Sequence, residues 1–389
     1  MRVGAQVWAD DGFTALDGRR VGLLTNSAAR IDDDRTVLQA MAAAGIEVVT
    51  VFTPEHGFSA TVAAGAAVGD GSVDGVRIIS LYGADRAPSP ADLAELDVLV
   101  FDLQDVGVRA YTYLATLGLA LEAAAAADVP VVVLDRPNPL GDRVREGWVT
   151  VPAFTSFVSQ YPVPATHGLT AGELAQALRG ERWLPGVGAA DLTVVPVEGW
   201  RRTDAWATTG LTWHPPSPSL PTTGSVALYP GTVLLEATTV SLGRGTDAPF
   251  TVAGAPWVDG EALAAELNGR ALPGVRFEPT FFTPVASEAV PAPPFADQSV
   301  PGVRIVIVEP AAVRPVAIGV HVLDALRRQS VAGADGEIID RPEMLDLLAG
   351  TDRLRLGLQA GTPAAELVAS WEADIAGFDA LRAPYLLYG

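Results

Sequence analysis

The sequence contains no cysteine and no lysine, so all 26 of its basic residues are arginine. The lack of cysteine excludes thiolate nucleophiles, disulfides, iron–sulfur clusters and zinc sites with cysteine ligands. The lack of lysine excludes a P-loop lysine, a Schiff base and a lysine general base. Any chemistry at this protein's site therefore depends on other side chains.

Three common motifs are also missing. No G-x-G-x-x-G follows the first predicted strand, so the dinucleotide-binding fingerprint is absent. There is no G-x-S-x-G elbow, which argues against the common α/β-hydrolase arrangement. The four histidines form no H-x-x-x-H pair, so a helical zinc site is absent. We predict neither a metal nor a cofactor.

Length and charge narrow the class of protein. A chain of 389 residues with 49% hydrophobic residues suits two domains with full cores. A formal net charge of -20 disfavours binding to nucleic acid or to anionic membranes. No apolar run approaches the roughly 20 residues that a membrane span needs. The amino terminus does not resemble a signal peptide, so we expect a cytoplasmic protein as the chain stands, or an extracytoplasmic one if a leader was removed. The oligomeric state stays open.

Apolar runs alternate with helical patterns through the first part of the chain. Strands are predicted at residues 20–28, 46–52, 77–81, 98–103 and 130–134, and a long helix at residues 112–127. Near-continuous apolar strands of this kind indicate a parallel sheet that is covered on both faces. We therefore predict an α/β fold with a Rossmann-like domain over residues 1–155.

The remainder, residues 156–389, is predicted to form a smaller α+β domain that completes the cleft. Its pattern predicts helices at 172–178, 261–267, 342–348 and 363–381, and strands at 192–197, 303–308 and 316–322. Residues 213–221 are rich in proline, which is typical of a stiff extended loop.

Polar side chains follow the carboxyl ends of the predicted strands. Parallel strands end at one edge of a sheet, where open α/β folds bind their ligands. We therefore expect these residues to converge: Asn26, Glu55, His56, Gln104, Asp105, Asp135, Arg136 and Asn138.

Carboxylate chemistry is what this residue set supports. Cleavage of a glycosidic bond needs a proton donor and a group that stabilises or captures an oxocarbenium-like centre. Glu55 lies between Phe52, Pro54 and Phe58, and a partly apolar pocket suits an acid. The alternative is a glutamate that caps a helix or binds an arginine such as Arg109. His56 is either part of the site or a packing residue.

Three further groups have two interpretations each. Asp102, within a buried strand, is either a site carboxylate or a strand-end hydrogen-bond acceptor. Arg109 and Tyr111 could orient a sugar. Alternatively, Arg109 only pairs with Asp105. The residues around Asp135 form a rigid loop flanked by prolines. This rigidity either positions groups for binding or only stabilises the loop.

Seven ordered motifs together resemble the exo-β-N-acetylmuramidase family, formerly a domain of unknown function. The resemblance covers nearly the whole chain. The motifs are Thr53-Pro54-Glu55-His56-Gly57-Phe58, Phe101-Asp102-Leu103-Gln104-Asp105 with Val106-Gly107-Val108-Arg109 and Tyr111-Thr112-Tyr113, Leu134-Asp135-Arg136-Pro137-Asn138-Pro139, His167-Gly168-Leu169-Thr170, Tyr229-Pro230-Gly231-Thr232, Gly243-Arg244-Gly245-Thr246, and Tyr385-Leu386-Leu387-Tyr388.

The resemblance implies a glycosidase that releases N-acetylmuramic acid from the non-reducing end of peptidoglycan fragments. It implies Glu55 as the general acid with His56 beside it. The mechanism stays open, and the candidates for a second carboxylate are Asp105, Asp102 and Glu236. An arginine would bind the lactyl carboxylate, with Arg109, Arg136 and Arg244 as candidates. The residues assigned to substrate binding are Asn26, Gln104, Arg109, Tyr111, Asp135, Arg136, Asn138, His167, Glu236 and Arg244.

The chain departs from the family pattern in two places. Ser59, Ala60, Ala63 and Ala66 stand where the family has arginine, glycine and acidic residues, and Leu242 stands where it has glutamate. These changes leave open a different amino sugar, or a cell-wall-fragment binding protein without activity. A nucleotide-dependent oxidoreductase is a further alternative. Retention, inversion and attack by the substrate's own acetamido group all stay open.

Overall fold

The computed structural model describes residues 1–333 and 335–389. Seven strands form the main sheet: β1 (Val21–Thr25), β2 (Val48–Thr53), β3 (Gly71–Val73), β4 (Val76–Ser80), β5 (Val98–Asp102), β6 (Val131–Leu134) and β7 (Leu192–Val195). Their order is β3-β4-β2-β1-β5-β6-β7. The strands pair in parallel except for β3, which runs antiparallel to β4 at one edge.

Helices cover both faces of this sheet. They are α1 (Gly4–Ala9), α2 (Val37–Ala43), α3 (Pro90–Leu93), α4 (Tyr113–Ala126) and α5 (Ala171–Glu181). Alternate residues of a strand face different cores: Leu23 and Val100 pack in the cluster with α1 and α2, whereas Leu24 and Phe101 pack in the cluster with α4 and α5. The predicted α/β class and the two covered faces are confirmed.

The strand order reverses between β1 and β5. From β1 the chain proceeds through β2 to β4 on one side, and then continues through β5, β6 and β7 on the other. Ligands of open parallel sheets bind beyond the carboxyl ends of the strands at such a reversal. Residues that follow β1, β2 and β5 therefore lie where a site is expected.

The second half contains a smaller antiparallel sheet and most of the remaining helices. The sheet has the order β8-β10-β9, from β8 (Val252–Gly254), β9 (Val275–Phe282) and β10 (Val300–Ile307). The helices are α6 (Thr223–Thr232), α7 (Gly260–Gly269), α8 (Pro315–Ala332), α9 (Pro342–Ala349), α10 (Arg353–Ala360), α11 (Ala364–Ala369) and α12 (Glu372–Arg382).

Helices α6 and α8 touch through two glycines. A Cβ atom on Gly231 would lie 1.9 Å from the carbonyl oxygen of Pro315, and one on Gly319 would lie 2.2 Å from the carbonyl oxygen of Gly231. Only residues without a side chain allow two backbones to approach this closely. The contact places the segment that follows α6 against the rest of the core.

The predicted strand at residues 316–322 is wrong, because this segment lies in α8. Val316, Ile318, Val320 and Val322 are all buried, so this first part of the helix is apolar on several faces and shows no amphipathic period. A short apolar run of this kind cannot be distinguished from a buried strand by its pattern. Pro315 at the first helical turn was the overlooked signal.

Other boundaries also differ from the prediction. Residues 363–381 form two helices, α11 and α12, rather than one. Strand β9 was not predicted; it contains Pro279, which an edge strand tolerates. Helix α6 was not predicted because it contains Pro230.

Strand β7 lies beyond residue 155, where the domain boundary was predicted, and it joins the main sheet next to β6. One apolar cluster includes Leu117 of α4, Leu174 of α5, Val226 of α6 and Leu323 of α8, so both halves share a core. The division into domains stays a prediction. Among the described residues, no helix has the length and apolar character to cross a membrane.

Candidate active site

A sharp turn after β2 presents Glu55 at the carboxyl edge of the sheet. The strand ends at Thr53, and His56 and Gly57 then adopt left-handed backbone conformations with φ of 71° and 69°. Histidine is one of the few residues with a side chain that is enriched in this region. Two successive left-handed residues reverse the chain, so Glu55 lies at the start of a loop that folds back over the strand end.

Two donors hold the Glu55 carboxylate. Its Oε1 accepts a hydrogen bond from the Gly65 N–H at 2.7 Å, and its Oε2 accepts one from the Thr112 hydroxyl at 2.7 Å. Thr112 precedes the first turn of α4. Glu55 is 8% exposed, so little of it contacts solvent. Each oxygen keeps a further lone pair, which leaves the carboxyl group able to exchange a proton with a bound molecule.

His56 fastens the same loop. Its Nδ1 lies 2.8 Å from the carbonyl oxygen of Val62 and therefore carries the proton. Burial lowers the pKa of His56, while the charge of Glu55 opposes this change. The imidazole is thus held neutral, and it positions the loop that donates the Gly65 N–H.

One of the two places where the chain departs from the family pattern lies on this loop. Ala60, Ala63 and Ala66 fall between His56 and the following strands. The loop's hydrogen bonds to Glu55 and His56 come from backbone groups of Gly65 and Val62. The alanines therefore do not remove the contacts that hold Glu55.

Tyrosines surround the carboxylate. The Tyr113 hydroxyl accepts a hydrogen bond from Asn26 Nδ2 at 2.8 Å and donates one to the Pro216 carbonyl oxygen at 2.6 Å. The ring of Tyr111 lies 4.6 Å from that of Tyr113, between centroids, and its buried hydroxyl has no hydrogen-bond partner among the described residues. A buried hydroxyl without a partner is costly unless a ligand supplies one.

Tyr82 lies beside Glu55 on the neighbouring strand. It follows β4, whose Ser80 pairs with Thr53 of β2. Burial and then the nearby charge of Glu55 raise the pKa of Tyr82 to about 12. Tyr82 is therefore an uncharged donor at neutral pH.

Asp105 is a second carboxyl group with a free oxygen. Its Oδ2 accepts the Gly107 N–H at 2.6 Å, while its buried Oδ1 has no partner in the described part of the chain. Burial raises the pKa of Asp105 to about 7. Gln104 donates to the carbonyl oxygens of Asp105 and Pro137 and so shapes this loop.

The second half of the chain contributes an ion pair. Glu236, in the short 3-10 helix Val233–Ala237, accepts hydrogen bonds from the Arg244 guanidinium. Arg244 also donates to Ser219 Oγ at 2.9 Å and lies 4.9 Å from the ring centre of Phe250. The charge of Arg244 contributes to the lowered pKa of His56, so this pair lies near the first-half residues.

Arg109 serves a different purpose in the described structure. Its guanidinium donates to the carbonyl oxygens of Trp148, Val163 and Leu348 at 2.7 to 2.8 Å, and burial lowers its pKa to about 9. It pairs with neither Glu55 nor Asp105. Arg109 thus links the first half of the chain to α9.

Asp135 and Asn138 also bind parts of the protein itself. Asp135 accepts hydrogen bonds from the Thr170 hydroxyl at 2.6 Å and from the Tyr388 hydroxyl at 2.5 Å. Asn138 donates to the Leu169 carbonyl oxygen at 3.0 Å. They fasten the loop before α5 and the carboxyl terminus.

His167 is fully buried on the same loop. Its Nδ1 accepts the Leu169 N–H at 3.1 Å, and burial lowers its pKa to about 3. The ring is therefore neutral at ordinary pH.

Arg136 forms a buried ion pair with Asp102, with N···O distances of 2.5 and 2.9 Å. Arg136 and Gln104 also line a cavity of about 260 Å³ at the same edge of the sheet, together with Trp206, Trp213 and His214. Glu55 does not line this cavity.

The structure thus brings together Asn26, Glu55, His56, Asp105, Tyr111, Glu236 and Arg244 from the predicted set. Arg109, Asp135, Asn138 and His167 are engaged elsewhere, and the roles of all these residues in binding stay predictions. Sequence reasoning missed Tyr82 and Thr112. Tyr82 follows a strand just as Glu55 does, but the order of β2 and β4 in the sheet was not known.

The comparisons with known proteins agree over the full length. The models for the amino-terminal and carboxy-terminal parts of exo-β-N-acetylmuramidase NamZ match residues 21–224 and 227–388. The chain is 35% identical to the peptidoglycan β-N-acetylmuramidase NamZ of Bacillus subtilis (strain 168), over 100% of this chain and 91% of that protein.

Two crystal structures of DUF1343 family proteins from Bacteroides fragilis NCTC 9343 share the fold. The first has a TM-score of 0.90 and is 34% identical, and the match covers 100% of this chain and 99% of that one. The second has a TM-score of 0.78 and is 32% identical, and the match covers 100% of this chain and 98% of that one. Together with the two family models, these matches confirm the resemblance seen in the motifs. The chain belongs to the exo-β-N-acetylmuramidase NamZ family of glycosidases.

Proposed function

We propose that this protein removes N-acetylmuramic acid from the non-reducing end of peptidoglycan fragments, with Glu55 as the general acid. The observation that carries the proposal is the placement of Glu55. It lies at the carboxyl edge of the sheet, fixed by Gly65 and Thr112 and enclosed by tyrosines. The relative from Bacillus subtilis, named as a peptidoglycan β-N-acetylmuramidase, supports the same substrate class.

In this mechanism Glu55 protonates the oxygen that leaves. The bond between that oxygen and the anomeric carbon breaks, and the oxygen departs as an alcohol on the remaining fragment. A water molecule later adds to the anomeric carbon and returns a proton to Glu55. The Thr112 hydroxyl stays within hydrogen-bond distance of Glu55 Oε2 and can follow either protonation state, because a hydroxyl both donates and accepts.

Asp105 is the second carboxyl group of the proposal. Asp102 is occupied by Arg136, and Glu236 is occupied by Arg244. Asp105 alone of these three has a buried oxygen without a partner among the described residues. We assign Asp105 Oδ1 to the N–H of the substrate's 2-acetamido group, whose carbonyl oxygen then attacks the anomeric carbon as the glycosidic bond breaks. The water molecule that gives its proton to Glu55 then displaces this oxygen from the anomeric carbon and so restores the acetamido group.

The tyrosines and His56 complete the site without charge. Burial raises the pKa of Tyr82, Tyr111 and Tyr113, so all three are uncharged. The Tyr113 hydroxyl donates to the Pro216 carbonyl oxygen, which leaves Tyr82 and Tyr111 to present a hydroxyl and a ring face to the substrate. Sugar rings bind to such surfaces through their C–H faces and their hydroxyls. His56 positions the loop that holds Glu55.

Hydrolysis of a chromogenic β-N-acetylmuramide, measured beside the matching β-N-acetylglucosaminide, tests the function. We expect the muramide to be cleaved with the higher kcat/KM. Cleavage of the glucosaminide alone would refute the assigned sugar. Binding of N-acetylmuramic acid without any turnover of either substrate would instead identify a cell-wall-fragment binding protein.

A further inference from the structure

Arg86 occupies an unusual position next to the proposed acid. It lies in the segment after β4, and its guanidinium carbon is 4.1 Å from the ring centre of Tyr82 and 4.3 Å from that of Phe157. The two rings are 5.9 Å apart between centroids. Such a cation–π contact on two rings fixes the plane of the guanidinium before any ligand binds.

The guanidinium nevertheless lacks an anion. Within residues 1–333 and 335–389, no carboxylate oxygen lies within 4.0 Å of Arg86. Its Nη1 is buried and has no hydrogen-bond partner. A buried N–H group of a cation without an acceptor is costly, so a missing acceptor is expected to come from a ligand.

The three arginines proposed from the sequence for the lactyl carboxylate are already engaged. Arg244 is neutralised by Glu236, and Arg136 by Asp102. Arg109 donates to three carbonyl oxygens. A second anion on any of these three would have to displace or share an existing partner.

Arg86 is also one side chain away from Glu55. Ser80 of β4 pairs with Thr53 of β2, so Tyr82 lies beside Glu55 in register. Tyr82 therefore separates the two groups, with its ring under the guanidinium of Arg86 and its hydroxyl toward Glu55. An amino sugar that presents its glycosidic oxygen to Glu55 would present a substituent on its ring to Arg86.

We propose that Arg86 binds the lactyl carboxylate of the substrate and so makes the enzyme prefer muramic acid to glucosamine. This inference rests on the proposed function, because only a muramic sugar carries that carboxylate. The planar guanidinium matches a carboxylate with two parallel N–H···O bonds. Arg86 is a specificity-determining residue in this account, not a source or acceptor of protons.

The test compares three substrates on the wild type and on Arg86→Gln. They are a chromogenic β-N-acetylmuramide, its lactyl methyl ester, and the β-N-acetylglucosaminide. Loss of a charge-assisted hydrogen bond should lower kcat/KM for the muramide by about 10- to 100-fold. The ester and the glucosaminide should change by less than about threefold, because neither carries the anion.

Arg77→Gln is the matched control. Arg77 lies on β4, is partly exposed, and pairs with Asp92 and Glu95 on the far side from Glu55. It should leave all three substrates unchanged. Arg244→Gln tests whether Arg244, rather than Arg86, binds the lactyl carboxylate.

The outcomes separate the two proposals. Suppose that the wild type prefers the muramide. If Arg86→Gln keeps this preference, or if only Arg244→Gln loses it, the role of Arg86 is overturned and the proposed function stands. A wild type that neither cleaves nor binds the muramide would overturn both. An equal loss on all three substrates would show that Arg86 supports the fold of the site and does not recognise the carboxylate.

Discussion

Replacement of Asp105 with asparagine is expected to stabilise the protein, and more strongly at pH 8 than at pH 5. Burial raises the pKa of Asp105 from its ordinary value of 3.8 to about 7. About three pKa units, at about 1.4 kcal/mol each, set an upper limit of about 4 kcal/mol on the cost of ionising this group in the folded protein.

The sign follows from proton binding. Between pH 3.8 and about 7, the folded protein keeps the Asp105 proton that the unfolded chain releases. The free energy of unfolding therefore falls as the pH rises through this range, and the full cost is present above it. Asparagine cannot ionise, yet its oxygen can still accept the Gly107 N–H. We expect the gain in stability at pH 8 to exceed the gain at pH 5 by about 2–3 kcal/mol.

Urea unfolding of wild type and Asp105→Asn at both pH values measures this difference. Asp97→Asn is the control, because Arg20 lowers the pKa of Asp97 to about 2. A carboxyl group whose pKa is lowered on folding contributes its full stabilisation at any pH above the pKa of the unfolded chain. This stabilisation is lost only as the pH falls through the folded pKa of about 2. The control should therefore have the same effect at pH 5 and pH 8. An Asp105→Asn effect that is also equal at the two pH values would refute the reasoning.

Two further predictions concern stability. Gly319→Ala places a Cβ atom 2.2 Å from the Gly231 carbonyl oxygen and should lower the free energy of unfolding by about 2–4 kcal/mol, measured by thermal unfolding. The control is Gly377→Ala in α12, whose Cβ meets no atom within 4 Å and which should not lower the free energy of unfolding. Asp102→Asn leaves the buried Arg136 cation without its partner and should cost about 3–5 kcal/mol in urea unfolding. The exposed pair of Asp32 and Arg35 should cost about 1 kcal/mol or less when Asp32→Asn is measured in the same way, and equal losses at the two pairs would contradict the assignment.

The central strands could be predicted from the sequence because their residues are nearly all apolar and end at turn residues. β1 and β5 are buried throughout, and each run stops where the sheet ends. The same property misled the prediction at α8, whose apolar residues are buried on several faces of a helix. Without a period, only Pro315 marked its start.

The position of Glu55 was predictable for a local reason, since it directly follows an apolar strand. Tyr82 and Arg86 were not, because their proximity to Glu55 depends on β4 lying next to β2. The contacts of Arg109 were also hidden. Its acceptors are backbone carbonyls of Trp148, Val163 and Leu348, which no side-chain pattern reveals.

The most direct test of the account is the dependence of Glu55→Gln on the leaving group. A sugar leaving group needs protonation, whereas a 2,4-dinitrophenolate does not. We therefore expect the substitution to lower kcat by about 10²- to 10⁴-fold on a disaccharide with muramic acid at its non-reducing end, and far less on the dinitrophenyl muramide. Glu47→Gln, the same change near the opposite end of β2, should leave both rates unchanged. Equal losses by Glu55→Gln on the two substrates would contradict its role as the general acid.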